Sequence, residues 1–299
     1  MKVINHLLPF ALLLVPLIWG LYGFSKTRGE AKNISNADLK STGVLIINSA
    51  VLYALAFNII FFIQELFLAL GKRWLGLKAI LYHNNHNWEG THPMESLAQG
   101  YGAAAIFVTG LISLFLANRT KQSKHWMHLF LLWLAFQGLV QSIPQFITAK
   151  VATDTDTGQA FTYLGIGEGL GMFISVAGII AMLYTGMLFS KYLLRLAPSA
   201  DVISTASVRF GYLFRIAVLA VVVGIILIIP FRIMPWDRAL APVMVTLISV
   251  PMVFAHGWKV KISNVVNSDV NNKISAIPVV MLIILLLIFQ LILAKGVSM

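Results

Sequence analysis

Residues 44–70 read VLIINSAVLYALAFNIIFFIQELFLAL, an almost unbroken apolar run with one charged side chain, Glu65. A helix needs about 20 such residues to cross the hydrocarbon core of a bilayer, where every backbone amide must be bonded internally. This stretch therefore predicts a membrane-spanning helix. A carboxyl group costs roughly 2.5–3.5 kcal/mol in hydrocarbon, so Glu65 also predicts a helix face that meets protein or water.

The rest of the chain has the same character. Hydrophobic residues make up 59% of it and charged residues 11%, and the mean hydropathy is +0.84. One water-soluble core cannot bury that much apolar surface, so we expect an all-α, polytopic transmembrane bundle of about eight (seven or eight) membrane helices. The predicted spans are residues 4–24, 44–70, 97–117, 127–146, 161–189, 211–231, 240–254 and 274–293.

The connections between these spans are too short to build a second core. The longest are residues 25–43, 71–96 and 190–210, so residues 1–299 are expected to form a single integral membrane domain. The chain has no cysteine, which excludes disulfides, thiolate metal sites and cysteine nucleophiles.

The positive charge has a membrane explanation. The net charge is +11, but the basic residues stand at the ends of apolar segments, where Lys and Arg set orientation. A nucleic-acid partner is therefore not expected, and the lipid bilayer is. Lys and Arg are more numerous in the loops after the first, third, fifth and seventh spans, which favours these loops in the cytoplasm and the N-terminus outside. The membrane is expected to be a bacterial inner membrane.

The loop after the second span carries the stretch LYHNNHNWEG, residues 81–90. His83 and His86 are three residues apart, and His92 follows closely. Imidazole and carboxylate groups are suitable zinc ligands. The asparagines and Gly90 favour turns, and tryptophan is typical of the membrane surface. The loop is thus either a metal site, with a re-entrant path into the bilayer, or a polar surface connection.

A second carboxyl group, Glu168, lies in the glycine-rich stretch GIGEGLG, residues 165–171. The glycines form two overlapping Gly-x-x-x-Gly pairs, a pattern typical of closely packed membrane helices. Glu168 is therefore predicted to be either an interhelical contact or a ligand or proton-relay group.

Two further polar patterns follow the third span. Gln137, Gln141 and Gln145 are four residues apart on one helix face, which predicts a stripe that bonds a neighbouring helix or lines a wet cavity. Asp154 and Asp156 have the spacing that opens a calcium loop, but the later EF-hand ligands are missing. They are expected to form a solvated turn.

Residues 58–175 resemble the core of the site-2 protease family of intramembrane zinc metalloproteases. QELFLALGKRWLGLKA, from residue 64, resembles the helix that carries the family's His-Glu-x-x-His motif. QGYGAAAIFVTGLISLFLAN, from residue 99, is similar to its small-residue helix, and FQGLVQSIPQ followed by DTDTG is similar to its proline turn and acidic element. Residues 190–299 are then additional membrane helices.

The resemblance implies roles for individual residues. Glu65 stands at the position of the catalytic glutamate, and Asp156 or Asp154 stands at the position of the aspartate ligand. Gln64 and Leu68 occupy the two histidine positions of the motif. The chain is then either a non-hydrolytic relative or one whose ligands are rebuilt from elsewhere.

In the rebuilt site, His83, His86 and Asp156 bind zinc, and Glu65 is the general base. The substrate implied is a transmembrane helix.

Two other functions fit the same polar residues. In a membrane transporter or carrier, Glu65, Glu168 and the glutamine stripe with Gln141 line a path near the bilayer midplane. In a non-catalytic subunit of a membrane complex, they pair with a partner membrane subunit.

Overall fold

The computed structural model describes residues 2–30, 36–120, 125–232, 236–260 and 274–299, and these are almost entirely helical. The helices are α1 (Lys2–Thr27), α2 (Asn36–Trp74), α3 (Glu95–Ala98), α4 (Gly100–Arg119), α5 (His125–Thr148), α6 (Asp156–Tyr163), α7 (Glu168–Arg195), α8 (Ala206–Leu213), α9 (Ala220–Ile228), α10 (Trp236–Ala255) and α11 (Ala276–Leu291). Three short strands complete the fold: β1 (Lys78–Leu81), β2 (His86–Glu89) and β3 (Val297–Ser298).

The described part of the chain contains six helical segments that are long and apolar enough to cross a membrane. They are Asp38–Trp74, Glu95–Arg119, Trp126–Thr148, Glu168–Arg195, Ala206–Arg232 and Ala276–Lys295. The remaining two predicted spans fall on α1 and on α10, whose apolar part is the shorter helix Leu240–Ala255. The prediction of an all-α transmembrane helical bundle is confirmed, and the chain is an integral membrane protein.

The burial of the helices places α2 and α5 at the centre of the bundle. In each, 72% of the most apolar window is buried by protein, against 22% in α7 and in the α11 segment. The central helix α2 packs against α4, α5, α9 and α11. The long apolar run of residues 44–70 therefore lies at the centre of the bundle, while α7 and α11 present much of their apolar surface outward.

A close helix crossing joins α4 and α5 at two glycines. A Cβ on Gly138 of α5 would lie 2.6 Å from the carbonyl oxygen of Ile106 and 2.7 Å from the Cα of Gly110 on α4. Small residues at such a crossing let two membrane helices approach backbone to backbone. This contact fixes the position of α5, which carries the glutamine stripe.

The predicted single helix over residues 161–189 is wrong, because the chain forms α6 and α7 with a turn between them. Gly165 has φ +62, a left-handed conformation that breaks the helix and that glycine adopts without strain. Glu168 is thus the first residue of α7 rather than a mid-helix group. The predicted span over residues 211–231 lies within one helical segment, Ala206–Arg232, which contains a π-helical stretch, Phe214–Leu219.

The loop after α2 is a β-hairpin that packs on that helix. β1 and β2 are antiparallel, with Leu81 opposite His86 and Lys78 opposite Glu89. The C-terminal strand β3 pairs with the other edge of β1, and the amide of Met299 donates to the carbonyl of Ala79 at 2.9 Å. The hairpin is thus clamped between α2 and the end of the chain, rather than forming an irregular loop.

Candidate functional site

One face of α2 carries a buried polar row. Asn58, Glu65 and Lys72 are seven residues apart, which is two helical turns, and are 0%, 7% and 0% exposed. Spacing by sevens keeps all three on one side of the helix. Burying such groups is costly unless each has a partner, so their partners define the site.

The partner of Glu65 is His86. The Nδ1 of His86 lies 2.8 Å from Oε2 of Glu65, and both side chains are at least nine-tenths buried. The neutral or protonated ring donates to the carboxylate through this nitrogen. His86 also stacks on Trp88 of the same strand, with ring centroids 5.6 Å apart and an interplanar angle of 15°. The hairpin therefore holds one imidazole in a fixed orientation against the intramembrane carboxyl group.

Arg232, at the end of the segment that contains α9, links this hairpin to α2. It is 1% exposed, and its guanidinium donates to Oδ1 of Asn84 and, at 3.0 Å, to Oδ1 of Asn58. It also lies 4.0 Å from the ring centre of Phe61 and interacts electrostatically with Glu65. No sequence pattern indicates this role, because an arginine after an apolar run is typical of a membrane boundary.

Lys72 joins the hairpin to the start of the next spanning segment. Its Nζ donates to the carbonyl of Glu95 at 2.7 Å and lies 4.3 Å from the ring centre of Trp88. Trp88 in turn donates from Nε1 to the carboxylate of Glu95 at 3.1 Å. These contacts fix the strand that presents His86.

Beside Glu65 lies a partly open cavity of about 540 Å³. Its walls come from α2, α5, α6, α7 and α10. Most of the lining is apolar or proline, including Phe61, Ile147, Met182 and Ile248, while Glu65 and Asp156 supply carboxyl groups. A mostly apolar pocket with a few convergent polar groups is the usual form of a small-molecule site.

The glutamine stripe of α5 lies along this cavity, which is one of the two arrangements predicted from its spacing. Gln141 and Gln145 line it. Gln141 donates to Gln137 at 2.7 Å, and Gln145 donates to Gln64 of α2 at 3.3 Å. Thr157 of α6 donates to Gln145 at 3.2 Å. Both alternatives predicted from the sequence therefore hold for the stripe: it bonds neighbouring helices and it lines a cavity.

The acidic turn reaches the same cavity through α6. Thr155 caps this helix by accepting from the amide of Gly158 at 3.2 Å. Asp156 is the first helical residue and lines the cavity. Asp154 is exposed, and its carbonyl accepts from Gln159. Of the two predicted aspartates, Asp156 faces the site.

Comparison with protein-family models, curated proteins and solved structures found no match. The function must therefore be argued from the geometry of the site itself.

Two of the predicted zinc ligands lie near Glu65, and the third contacts a different part of the bundle. His86 contacts Glu65 and Asp156 lines the cavity beside it, whereas the ring of the buried His83 lies 6.4 Å from that of Phe289 on α11. Within the described ranges, no three His, Cys, Asp or Glu side chains are grouped to hold a metal ion. The arrangement does not assemble the set of His83, His86 and Asp156, and zinc binding stays a prediction from the sequence.

The other two candidates lie apart from the cavity. His92 accepts at Nδ1 from the amide of Met94 at 3.1 Å, in the turn before α3. Glu168 is exposed at the start of α7. The predicted close packing around it is also wrong for Gly165, Gly167 and Gly169, since a Cβ added to each would meet nothing within 4 Å.

Proposed function

We propose that this chain is a membrane carrier whose substrate site is the cavity beside Glu65. The observation that supports this most is the buried carboxyl group of Glu65, held by His86 at 2.8 Å and exposed to a cavity between spanning helices. Intramembrane carboxyl groups that face a cavity mark substrate or ion pathways in membrane proteins. Substrate sites of carriers lie between helices near the middle of the bilayer.

Two proline-containing helices border the cavity, and this supports a site whose walls move. Pro144 in α5 and Pro242 in α10 both line it. Proline removes a backbone donor and bends a helix, and interrupted helices around the binding site are typical of carriers. The carrier path differs from the one expected from sequence, because Glu168 does not line the cavity and the second carboxyl group there is Asp156.

The absence of cysteine makes a substrate-independent test available. Val245 on α10 lines the cavity, so V245C places a single thiol there. In a carrier with alternating access, a membrane-impermeant maleimide labels this thiol from either side of proteoliposomes. The matched control is V221C, since Val221 is 1% exposed on α9 and is not among the cavity residues. Labelling of V245C from one side only, or equal labelling of V221C, would contradict the carrier function.

The Lys and Arg distribution supports a finer proposal about orientation, with the N-terminus outside, and we further propose that the membrane is a bacterial inner membrane. The hairpin then faces outward and residues 190–210 face the cytoplasm. E89C and D201C replace exposed side chains in these two regions. We expect E89C to be labelled from outside in intact cells and D201C only after permeabilisation; the reverse pattern would invert the topology.

A second candidate function, a divergent site-2-protease-like peptidase, rests on a different observation. Two of the three segments that carry the resemblance, the one with Glu65 and the one with the proline turn and acidic element, meet at one cavity, which is lined by Glu65, Pro144 and Asp156, and a hairpin follows α2. In this proposal Glu65 is the acid–base group, and the cavity holds the unwound part of a transmembrane substrate helix.

Metal analysis and a cleavage assay separate the two candidates. A peptidase with a rebuilt site carries stoichiometric zinc that is lost in both H83A and H86A, and it cleaves a membrane-embedded helical peptide unless Glu65 is replaced by glutamine. A metal-free parent protein that leaves such peptides intact would eliminate this candidate and leave the carrier.

A further inference from the structure

The polar wall of the cavity continues beyond the cavity along α5. Trp133, Gln137, Gln141 and Gln145 are four residues apart, so they share one face of the helix. Gln141 and Gln145 line the cavity, whereas Trp133 and Gln137 do not. The stretch from Trp133 to Gln145 rises about 18 Å along the helix, more than half of the roughly 30 Å hydrocarbon core. We call these four side chains and their partners on α2 and α10 the α5 row; the partners are Ser49, Tyr53 and Thr246.

The part of the α5 row that lies beyond the cavity is closed. Nε1 of Trp133 donates to the hydroxyl of Ser49 at 2.7 Å, and its ring packs edge-on against that of Tyr53, with centroids 5.3 Å apart. The hydroxyl of Tyr53 lies beside Gln137 and Thr246. The hydroxyl of Thr246 lies 3.2 Å from Oε1 of Gln137. These five side chains, contributed by α2, α5 and α10, are at most 3% exposed.

The cavity itself reaches the surface on the side of the hairpin. Glu65 in its wall contacts His86 of β2, and its lining extends to Thr155, an exposed residue in the connection after α5. A carrier must also open its site to the opposite side of the membrane. Polar groups inside a bundle mark such paths. The α5 row runs from the cavity toward that opposite side, where α5 begins.

The wall that α10 contributes contains two points at which a helix bends. Pro242 and Pro251 lie on either side of Thr246, and proline removes a backbone hydrogen bond and kinks a helix. Beyond Pro251, α10 is held closely against α7, because a Cβ on Gly186 would lie 2.8 Å from the carbonyl oxygen of Met252. The segment between the two prolines can therefore move while the end of the helix stays in place.

One buried group in the α5 row favours an arrangement that admits water. Oε1 of Gln141 has no hydrogen-bond partner among the described residues, in a side chain that is 4% exposed. A buried acceptor without a donor is costly, and ordered water satisfies such groups in folded proteins. Opening the row would hydrate this oxygen, which offsets part of the packing lost between α5 and α10.

From these features we propose that the α5 row is the closed half of the substrate path, and that the paired rings of Tyr53 and Trp133 are its gate. In the second state of the carrier, the segment of α10 between its prolines moves away from α5. Water then enters between Gln137 and Thr246, and the cavity opens on the side where α5 begins. This inference rests on the proposed carrier function and adds the route and the gate.

The test places single thiols in the closed half, on two different helices. In oriented proteoliposomes, an impermeant maleimide labels S49C and T246C only from the side where α5 begins, whereas V245C in the cavity is labelled from both sides. The matched control is S142C, since Ser142 is 0% exposed on α5 and its hydroxyl donates to the carbonyl of Gly138, at the crossing with α4. We expect no labelling of S142C.

A second variant tests the gate itself. W133F removes the hydrogen bond to Ser49, which exists only in the closed arrangement, so the open state becomes more populated. The labelling rate of T246C from the side where α5 begins should rise about threefold to tenfold, as expected for one lost hydrogen bond. W74F, which changes a tryptophan that is 64% exposed at the end of α2, should leave the rate unchanged.

The outcomes are distinguishable from failure of the carrier function. If V245C is labelled from both sides while S49C and T246C stay unlabelled, the carrier stands and the path lies elsewhere. If S49C and T246C are labelled but V245C reacts only from that same side, the path stands and the carrier function fails. Equal labelling of S142C, or an unchanged rate in W133F, would overturn the gate.

Discussion

Adding a single methyl group at the α4–α5 crossing should destabilise the bundle. In G138A the new Cβ would lie 2.6 Å from the carbonyl oxygen of Ile106 and 2.7 Å from the Cα of Gly110. Ordinary carbon contacts begin near 3.5 Å, so the two helix backbones must separate by several tenths of an ångström. Overpacking of this kind costs about 1–3 kcal/mol, against roughly 1 kcal/mol gained from the better helix propensity of alanine.

We therefore expect G138A to lower the free energy of unfolding by up to about 2 kcal/mol in mixed micelles titrated with denaturing detergent. The matched control is G169A in the first turn of α7, where a Cβ meets nothing within 4 Å. That change should be neutral or stabilising by up to about 1 kcal/mol. If G138A proves as stable as G169A, the backbone-to-backbone contact that positions the glutamine stripe is not present in the membrane.

Three further predictions concern the site. In a double-mutant cycle, E65Q and H86F should show a coupling free energy of about 1.5–3 kcal/mol, the range for a charge-assisted hydrogen bond; a coupling near zero would mean that the pair at 2.8 Å does not form. Replacing Thr155 by alanine removes the cap of α6 and should cost about 1 kcal/mol locally, seen as faster hydrogen exchange in that helix and not in α7. Deleting residues 297–299 removes β3, so amide exchange in β1 should accelerate while that of α2 stays unchanged.

The sequence predicts the membrane helices because their signal is local. Each span is an apolar run of sufficient length, and the inward face of α2 follows from the cost of burying Glu65. The glutamine stripe is equally local, since residues four apart share a helix face. These features can be predicted without knowing how the helices pack.

The hairpin was missed because its strands carry little pattern. β1 reads KAIL and β2 reads HNWE, four residues each, which is too short for alternation to separate a strand from a turn. Its stability comes from distant groups: α2 beneath it, Arg232 bound to Asn84, and the C-terminal strand.

Arg232 and the glycines near Glu168 show that local patterns do not determine which residues meet. Arg232 makes a contact that has no local pattern, whereas the glycines have the pattern of a helix contact but a different arrangement. Arg232 meets Asn58 across 174 residues of sequence, a pairing that no local pattern encodes. The Gly-x-x-x-Gly pairs of residues 165–171 have the correct spacing for helix packing, yet a turn divides them, and Gly165, Gly167 and Gly169 meet no helix among the residues that the structure describes. Spacing predicts a face, but only packing decides whether another helix covers it.

The proposed carrier function requires that the cavity beside Glu65 opens to both sides of the membrane in turn. Impermeant-maleimide labelling of V245C in proteoliposomes, with reagent added first outside and then inside, measures this directly. We expect V245C to be modified from each side and V221C to remain unmodified under the same conditions. Modification confined to one side, or absent while the protein remains folded, would show that the cavity is not the substrate site of a carrier.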